Sequence, residues 1–296
     1  MKIDLHIHSN YSDGQMTLPE IFKEASERGI TALSITDHDS IDGQAEAKRL
    51  ASRYNIRYIV GLELSVSFFY PKQKASKPIS LDFLAYQYDM NDPSLAEKLD
   101  KLREYRKNRA EQILERINRE LVREKLKEFT GEDLDEIEKS VDGAFGRPHI
   151  ADYMVRKGIV ASRKEAFDKY LVKCNVPKMP LSMPEASELV KNAGGKIMLA
   201  HPNHPRGTSL IKLTSDLGEQ QEIIRETMMP YIDGIECWHS EHDQKTIHSY
   251  LKFAKKMGFI VTGGSDCHQQ PIIMGTLDIP DYVIQQFDLL LKRGKE

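Results

Sequence analysis

The stretch KIDLHIHSNYSD, residues 2–13, stands at the start of the chain, and polar and apolar side chains alternate strictly in its first seven residues, Lys2–His8. Because successive side chains of a strand point to opposite faces, His6 and His8 share one face with Asp4. Two imidazoles on one face can bind the same metal ion, and Asp13 follows them after a short polar loop. The stretch therefore predicts a first β-strand that ends in one corner of a metal site.

The composition of the 296-residue chain is that of a globular protein, with 40% hydrophobic and 29% charged residues. This length fits one large barrel or two ordinary domains. A formal net charge of −3 excludes a global basic field that would attract long nucleic acids. The three cysteines fit neither a disulfide framework nor a zinc knuckle, so we expect reduced thiols and a cytoplasmic protein. We expect no signal peptide, no membrane span and no obligate protein partner.

Strand-like and helix-like segments alternate at the start of the chain and again near its end. About seven strands in βα units favour an α/β fold with a parallel sheet or barrel. The middle of the chain is charged and helical in pattern, and it ends at the proline-rich segment PKMPLSMP. We therefore predict a barrel in two parts, residues 1–92 and 184–296. Residues 93–183 are predicted to form a mainly helical insertion that covers the active site.

Potential metal ligands recur at the ends of the predicted strands. These residues are His6, His8, His38, Glu63, His201, Asp266 and His268. Because the carboxyl ends of β/α barrel strands meet at one mouth, ligands that are remote in sequence are expected to lie together. Imidazole and carboxylate groups suit Zn²⁺, Mn²⁺ or Fe²⁺, and the set is large enough for two or three ions. For His239 and His248 we predict ordinary hydrogen-bonded or surface positions.

Seven motifs form a specific set when they are taken together. They are HIHSNYSDG, ITDHDSIDG, GLELS, FGRPHIA, AHP, GIECWHSEH and GGSDCH. As a set they resemble the PHP (polymerase and histidinol phosphatase) family of metal-dependent phosphoesterases, and the resemblance covers nearly the whole chain. It is closest to stand-alone members that act on nucleotide phosphates. The resemblance implies a distorted, TIM-like (β/α)7 barrel with a cluster of up to three metal ions.

The resemblance also implies how the ligands divide among the ions. The first ion would be held by His6, His8, Glu63 and Asp266. The second would be held with the help of Asp13, His38 and His268, and His201 would join Glu63 at a third. Many members carry histidine where this chain has Asp82. That aspartate can supply an oxygen ligand, leave the third site weaker, or simply bond to the backbone.

The motif FGRPHIA adds a cation and an imidazole from the insertion. The resemblance implies that Arg147 reaches over the ions, where its fork of donors matches phosphate oxygens. The alternative role of Arg147 is to begin a helix, because GRP is also an ordinary helix start. His149 is expected to orient the substrate, bind metal or cap the loop.

Two segments depart from the family pattern. Relatives have a YLxxGKPxY-like segment with a lysine that meets phosphate, and this chain reads YLVKCNVPKMP. Lys173 and Lys178 lie in this segment, and Lys178 is our candidate for substrate binding. The AHP motif continues as NHPRG, where His204 or Arg206 is expected to replace a family phosphate contact.

The resemblance implies a phosphomonoesterase that acts on small nucleotides such as nucleoside 3′,5′-bisphosphates. A 5′-to-3′ exonuclease on short oligonucleotide ends is the near alternative, since end binding needs few phosphate contacts. A metal-dependent amidohydrolase and a non-catalytic metal-binding module are alternatives of other classes. Fold analogy alone does not separate the amidohydrolase from the phosphoesterase.

The expected reaction is attack of a metal-bridging hydroxide on phosphorus. Arg147 and the ions would neutralise charge on the phosphoryl oxygens. His201, His204 or a metal-bound water would protonate the leaving group. Three aspartates are candidates to accept hydrogen bonds from the ligand imidazoles, namely Asp4, Asp37 and Asp39.

Overall fold

The alternating N-terminal stretch forms β1, Ile3–Ile7, in the computed structural model, and all five of its residues are buried. The structure describes residues 1–72, 78–139, 145–177 and 179–293. The other strands are β2 (Ala32–Ile35), β3 (Arg57–Tyr58), β4 (Gly61–Phe68), β5 (Ile79–Tyr86), β6 (Lys196–Leu199), β7 (Gly234–His239) and β8 (Ile260–Gly264). The chain thus has the mixed α/β character that the sequence predicts.

Helices separate most of the strands. They are α1 (Leu18–Glu27), α2 (Gln44–Tyr54), α3 (Pro93–Arg123), α4 (Gly131–Lys139), α5 (Arg147–Arg156), α6 (Arg163–Ala166), α7 (Met183–Asn192), α8 (Leu217–Thr227), α9 (Gln244–Met257) and α10 (Tyr282–Arg293). A π-helical turn, Phe167–Leu171, follows α6, and a 3₁₀ turn, Leu210–Lys212, precedes α8. Among the described residues, no helix is both long and apolar enough to cross a membrane.

The strands form a three-stranded sheet, β1-β2-β3, and a five-stranded sheet, β4-β5-β6-β7-β8. Pairing is parallel except that β5 runs antiparallel to both β4 and β6. The expectation of a parallel sheet or barrel is therefore wrong at β5. Only ten residues, 69–78, connect β4 to β5. This connection is shorter than the crossover that parallel neighbours require, whereas antiparallel neighbours need none.

Backbone contacts join the two sheets on both sides. Single parallel bridges connect Ile7 with Cys267 and His38 with Glu63. The N–H of Asp266 donates to the carbonyl of His6 at 2.8 Å, next to the first of these bridges. These contacts bring the C-terminal ends of β1, β2 and β8 and the start of β4 to one place, where the candidate ligands lie.

Helix α3 spans two hydrophobic clusters. Its first turns bury Leu95, Leu99 and Leu102 in the main core, which lies between the sheets and the outer helices. Further along, α3 buries Ile113 and Ile117 in a second cluster, formed by residues of the helical segment itself. A single continuous helix therefore carries the helical segment on the α/β core.

An ion pair near the middle of α3 connects this helix to the site. Arg106 donates from Nε and Nη2 to the carboxylate of Asp39, directly after the candidate ligand His38. Both side chains are almost fully buried, and the backbone N–H of Ser65 also donates to Asp39 at 3.2 Å. The pair fixes the loop after β2 against the insertion.

We expect Arg106→Met to reduce the free energy of unfolding by about 3–5 kcal/mol, because it leaves the buried Asp39 carboxylate without its cation. Urea unfolding monitored by circular dichroism measures the loss. The matched control is Arg103→Met on the same helix, whose pair with Asp42 is partly exposed. Its loss should cost less than about 1 kcal/mol. Equal losses in the two variants would contradict a structural role for the buried pair.

Candidate metal centre

The first predicted ligand set is assembled in the structure. It combines His6 and His8 of β1 with Glu63 of β4 and Asp266 after β8. The Nε2 atoms of the two histidines lie 3.1 Å apart. Each lies 3.2–3.3 Å from Oε2 of Glu63 and 3.2 Å from Oδ1 of Asp266. Strand periodicity explains the pair of histidines, and the sheet contacts bring in the two carboxylates.

These separations suit a metal ion. Five of the six distances among the four ligand atoms are 3.1–3.3 Å, the spacing expected of ligands that each lie about 2.0 Å from a shared tetrahedral Zn²⁺ ion. Oε2 of Glu63 is buried and has no hydrogen-bond partner among the described residues. A buried carboxylate oxygen without a donor is costly, and an ion between the four side chains removes that cost.

The second predicted set is also assembled, with one further member. His8 lies within ligand distance of Asp13, His38 and His268 as well as of the first set. Nε2 of His268 lies 3.2 Å from Oδ1 of Asp13, and the rings of His8 and His268 stack with centroids 4.0 Å apart. Oδ1 of Asp13 and Nδ1 of His38 are buried without hydrogen-bond partners in the described part of the chain.

Glu63 lies between the sets. Its Oε2 is 3.1 Å from Nδ1 of His38, and its Oε1 is 3.1 Å from Nε2 of His201. Burial opposes the charged form, but the imidazoles of His38 and His6 outweigh it and hold the pKa of Glu63 well below its ordinary value. Burial likewise opposes ionisation of Asp266, and His6 and His268 keep its pKa well below the usual range. The site is therefore built to hold carboxylates rather than carboxylic acids.

The third predicted set is only partly assembled. Asp82 groups with His38 and Glu63, while His201 contacts Glu63 without joining that group. Among the described residues, the side-chain hydrogen bonds of Asp82 are to hydroxyl groups and not to the backbone. Its oxygens accept from the hydroxyls of Ser65, at 2.8 Å, and of Thr208.

Glu236 is a buried site residue that the sequence reasoning missed. Its Oε1 lies 3.0 Å from Nδ1 of His6, and its Oε2 accepts from the backbone N–H of His201 at 2.8 Å. With its Nδ1–H given to Glu236, His6 presents the lone pair of Nε2 to the first set. Glu236 therefore performs the orienting role that the sequence assigned to Asp4.

The expectation for Asp4 is wrong because its carboxylate points to backbone donors instead of imidazoles. It accepts from the N–H groups of Ser265 and Gly275 at 2.9 and 2.8 Å, which fixes the segment that carries Asp266. Asp37 acts on the loop after β1, where Ser9 and Ser12 donate to it. Ser12 in turn lies 3.4 Å from Nδ1 of His8, so Asp37 reaches a ligand through a hydroxyl.

His239, for which an ordinary hydrogen-bonded or surface position is expected, is a hydrogen-bonded residue beside the candidate ligands. This histidine is fully buried, and its Nε2 lies 3.3 Å from Oδ2 of Asp266. The pairing of β7 with β8 shifts register between Glu236 and Trp238. Because of this irregularity, Glu236 and His239 both face the cluster although they are three residues apart. A strict two-residue alternation cannot place both on one face.

The residues that the sequence predicts to bind the substrate have different surroundings in the structure. Arg147 begins α5 and lies half-buried over the Phe167 ring at 5.4 Å. His149 caps this helix start, since its Nδ1 accepts from the N–H of Gly146 at 3.0 Å. Lys178 lies outside the described residues.

His204 lies beside the cluster, with its ring centroid 5.7 Å from that of His201 and 5.3 Å from that of His239. A ring nitrogen of His204 groups with ligand atoms of His239 and Asp266. Burial, helped by the two neighbouring imidazoles, lowers the pKa of His204 to about 4. The neighbouring Arg206 is exposed and pairs with Glu241, away from the cluster.

A model of the PHP domain family matches residues 4–174, which is more than half of the chain. The chain therefore belongs to the PHP family. A crystal structure of a protein assigned as a metal-dependent phosphoesterase, from Bifidobacterium adolescentis, superimposes with a TM-score of 0.79 and is 26% identical. The match covers 97% of this chain and 96% of that one.

Two curated relatives have named activities. A 3′,5′-nucleoside bisphosphate phosphatase from Chromobacterium violaceum is 29% identical over 279 residues, which cover 90% of this chain and 87% of the relative. A 5′-3′ exoribonuclease from Haemophilus influenzae is 28% identical over 204 residues, covering 68% of this chain and 69% of the relative. With the clustered metal ligands, these similarities define the chain as a metal-dependent hydrolase of the phosphoesterase class.

We expect Glu236→Gln to weaken binding of the tightest divalent ion by about 10- to 100-fold, because the side chain that orients His6 loses its charge. Competition with a fluorescent chelator measures the dissociation constant. Glu222→Gln on the exposed side of α8 is the matched control and should bind metal like the unmodified protein. Unchanged affinity after Glu236→Gln would remove its orienting role.

Proposed function

We propose that the protein hydrolyses phosphate monoesters of small nucleotides, with nucleoside 3′,5′-bisphosphates as the substrate class. The observation that carries the proposal is the similarity to the bisphosphate phosphatase, which extends over 90% of this chain and 87% of that relative. The matched region includes both the barrel-like part and the helical segment, so it spans metal ligands and Arg147 alike. The small net charge agrees with a substrate of few phosphates.

Hydrolysis of oligonucleotides from the 5′ end is the second candidate. It is supported by the similarity to the exoribonuclease, which covers a shorter part of this chain. An enzyme that binds only the end of a strand needs few cationic contacts, so the net charge does not exclude it. Mononucleotide release from a labelled oligomer separates this activity from phosphate release.

Two or three divalent ions, of manganese, iron or zinc, would bind to the ligand sets. When bound, such ions polarise phosphoryl oxygens and lower the pKa of a coordinated water. Glu63 would hold neighbouring ions at a fixed separation, because its two oxygens face different histidines. His6, His8 and Asp266 would complete the first set, and Asp13, His38 and His268 the second.

Arg147 is our candidate for binding the phosphoryl group. Its side chain is half-buried; the guanidinium donates to the carbonyl of Leu171 at 3.5 Å and lies over the ring of Phe167. A cation in this position is poorly compensated, and burial lowers its pKa. A phosphate that accepts two of its N–H groups would supply the missing negative charge.

Three further residues belong to the proposal. His201 is our candidate for proton transfer, because its Nδ1 is buried and has no hydrogen-bond partner among the described residues. His149 would orient the substrate with its second ring nitrogen. Lys178 would add a further cation at the substrate.

The proposed architecture is a distorted seven-stranded barrel, if β3 and β4 count as one interrupted strand. The bridges that join the two sheets on both sides support it. The barrel parts would be residues 1–92 and 184–296, with residues 93–183 as the insertion. A cytoplasmic location and the absence of an obligate protein partner stay predictions.

The test is release of inorganic phosphate by the metal-loaded protein from a nucleoside 3′,5′-bisphosphate, a short oligonucleotide and an aryl phosphate. We expect the bisphosphate to be the best substrate. The double variant Asp266→Asn, His268→Ala should lower kcat/KM by more than about 100-fold, because it removes ligands from both sets. Retained activity in this variant would contradict the assignment of the site.

The same assay examines Arg147. Arg147→Ala should raise KM by about 10- to 100-fold, because a charge-assisted hydrogen bond to the phosphate is lost and such a bond contributes about this factor to binding. Lys173→Ala is the matched control, because that lysine is exposed and paired with Glu120. An unchanged KM after Arg147→Ala would exclude the proposed contact.

A further inference from the structure

The segment NHPRG, residues 203–207, departs from the family pattern, and the structure gives it a defined shape. The amide of Asn203 donates to Thr246 at 3.0 Å and accepts from Gln220 at 2.9 Å. The hydroxyl of Ser209 donates to the carbonyl of His204 at 2.7 Å. The loop is therefore fixed to α8 and α9, and it holds the ring of His204 in one place.

The loop also determines where the His204 ring carries its hydrogen. The backbone N–H groups of Arg206 and Gly207 both donate to Nδ1 of His204, at 3.1 and 3.0 Å. A ring nitrogen that accepts hydrogen bonds has no proton, so the hydrogen of the neutral ring is on Nε2. If the His204 ring were protonated to imidazolium, Nδ1 would also carry a hydrogen, and this hydrogen would face the N–H groups of Arg206 and Gly207.

Gly207 is required for this arrangement. An added Cβ at this position would lie 2.8 Å from Cγ and 2.9 Å from Cδ2 of His204. These distances are shorter than real carbon contacts, so a larger residue must displace the loop or the ring. The sequence HPRG thus encodes a histidine together with the glycine that lets backbone donors reach it.

His204, His239 and Asp266 are residue types that bind metal ions, and they lie together. The hydrogen bonds of the two histidines, however, indicate that each ring presents an N–H donor to this group. Nδ1 of His239 accepts from the N–H of Glu241 at 3.1 Å. Its Nε2–H then faces Oδ2 of Asp266 at 3.3 Å and donates to it. Metal binding needs a deprotonated ring nitrogen, and the available nitrogen of each ring carries hydrogen.

We propose that His204 is a neutral hydrogen-bond donor that binds an oxygen of the substrate phosphate through Nε2–H. It is neither a ligand of a third ion nor the acid that protonates the leaving group. A neutral imidazole that gave up its only N–H proton would become an imidazolate, so it can donate a hydrogen bond but not transfer the proton. The inference rests on the proposed function, since it places a phosphate at the cluster beside Asp266.

The experiment compares His204→Asn with His204→Gln in the metal-loaded protein. The asparagine oxygen can accept from the loop N–H groups as Nδ1 does, but no donor remains at the position of Nε2. The glutamine amide instead places an N–H donor near the position that Nε2 of His204 occupies, but it does not accept from the loop N–H groups. Metal content is measured by mass spectrometry, and binding of inorganic phosphate is measured by calorimetry.

We expect both variants to keep the metal content of the unmodified protein. His204→Asn should weaken phosphate binding by about 10- to 100-fold, as for loss of a hydrogen bond to a charged group, and His204→Gln should weaken it less. Loss of an ion in either variant would overturn the proposal. Equal weakening of phosphate binding in the two variants, or a greater effect of glutamine, would also overturn the proposal. The His204 ring would then serve only to hold the loop.

Gly207→Ala provides a second route that leaves His204 in the sequence. We expect weaker phosphate binding at unchanged metal content, with Gly131→Ala as the control because an added Cβ there meets nothing within 4 Å. Unchanged phosphate binding after Gly207→Ala would count against the role of the loop. If the unmodified protein released no phosphate from any ester, the proposed function would fail while the calorimetry still tested His204.

Discussion

The carboxylate of Glu63 is the constraint on which the site depends. It is 1% exposed, and nitrogens of four histidines lie 3.1–3.3 Å from its two oxygens. A buried carboxylate is unfavourable unless its charge is compensated. Imidazoles and divalent ions provide that compensation, and in return the carboxylate fixes the distance between neighbouring sets. The ends of β1, β2 and β8 and the loop after β6 are therefore arranged around one side chain.

A second layer of buried acids holds this arrangement in place. Glu236 orients His6, Asp37 fixes the loop that carries Asp13, and Asp4 fixes the segment that carries Asp266. The metal centre and the strand ends thus stabilise each other.

Much of the site could be predicted from the sequence, because two simple rules apply to it. Period-two alternation places His6 and His8 on one face, and the meeting of strand ends explains Asp266 and His268. Glu236 and His239 could not both be found this way, because the irregular pairing of β7 changes the alternation. The residues of β5 do not themselves indicate its direction; only the ten-residue connection from β4, which is too short for a parallel crossover, indicates an antiparallel strand. Alternation places Asp4 on the face of His6 and His8, but its hydrogen-bond partners lie in a segment more than 260 residues away in the sequence.

The central claim is that Glu63 is shared between ions, and metal content tests it most directly. The metal content per chain is measured for the unmodified protein, Glu63→Gln and Asp13→Asn after dialysis. The account predicts at least two ions in the unmodified protein, loss of about one in Asp13→Asn, and a larger loss in Glu63→Gln. Equal losses in the two variants, or a full set of ions without the Glu63 carboxylate, would contradict it.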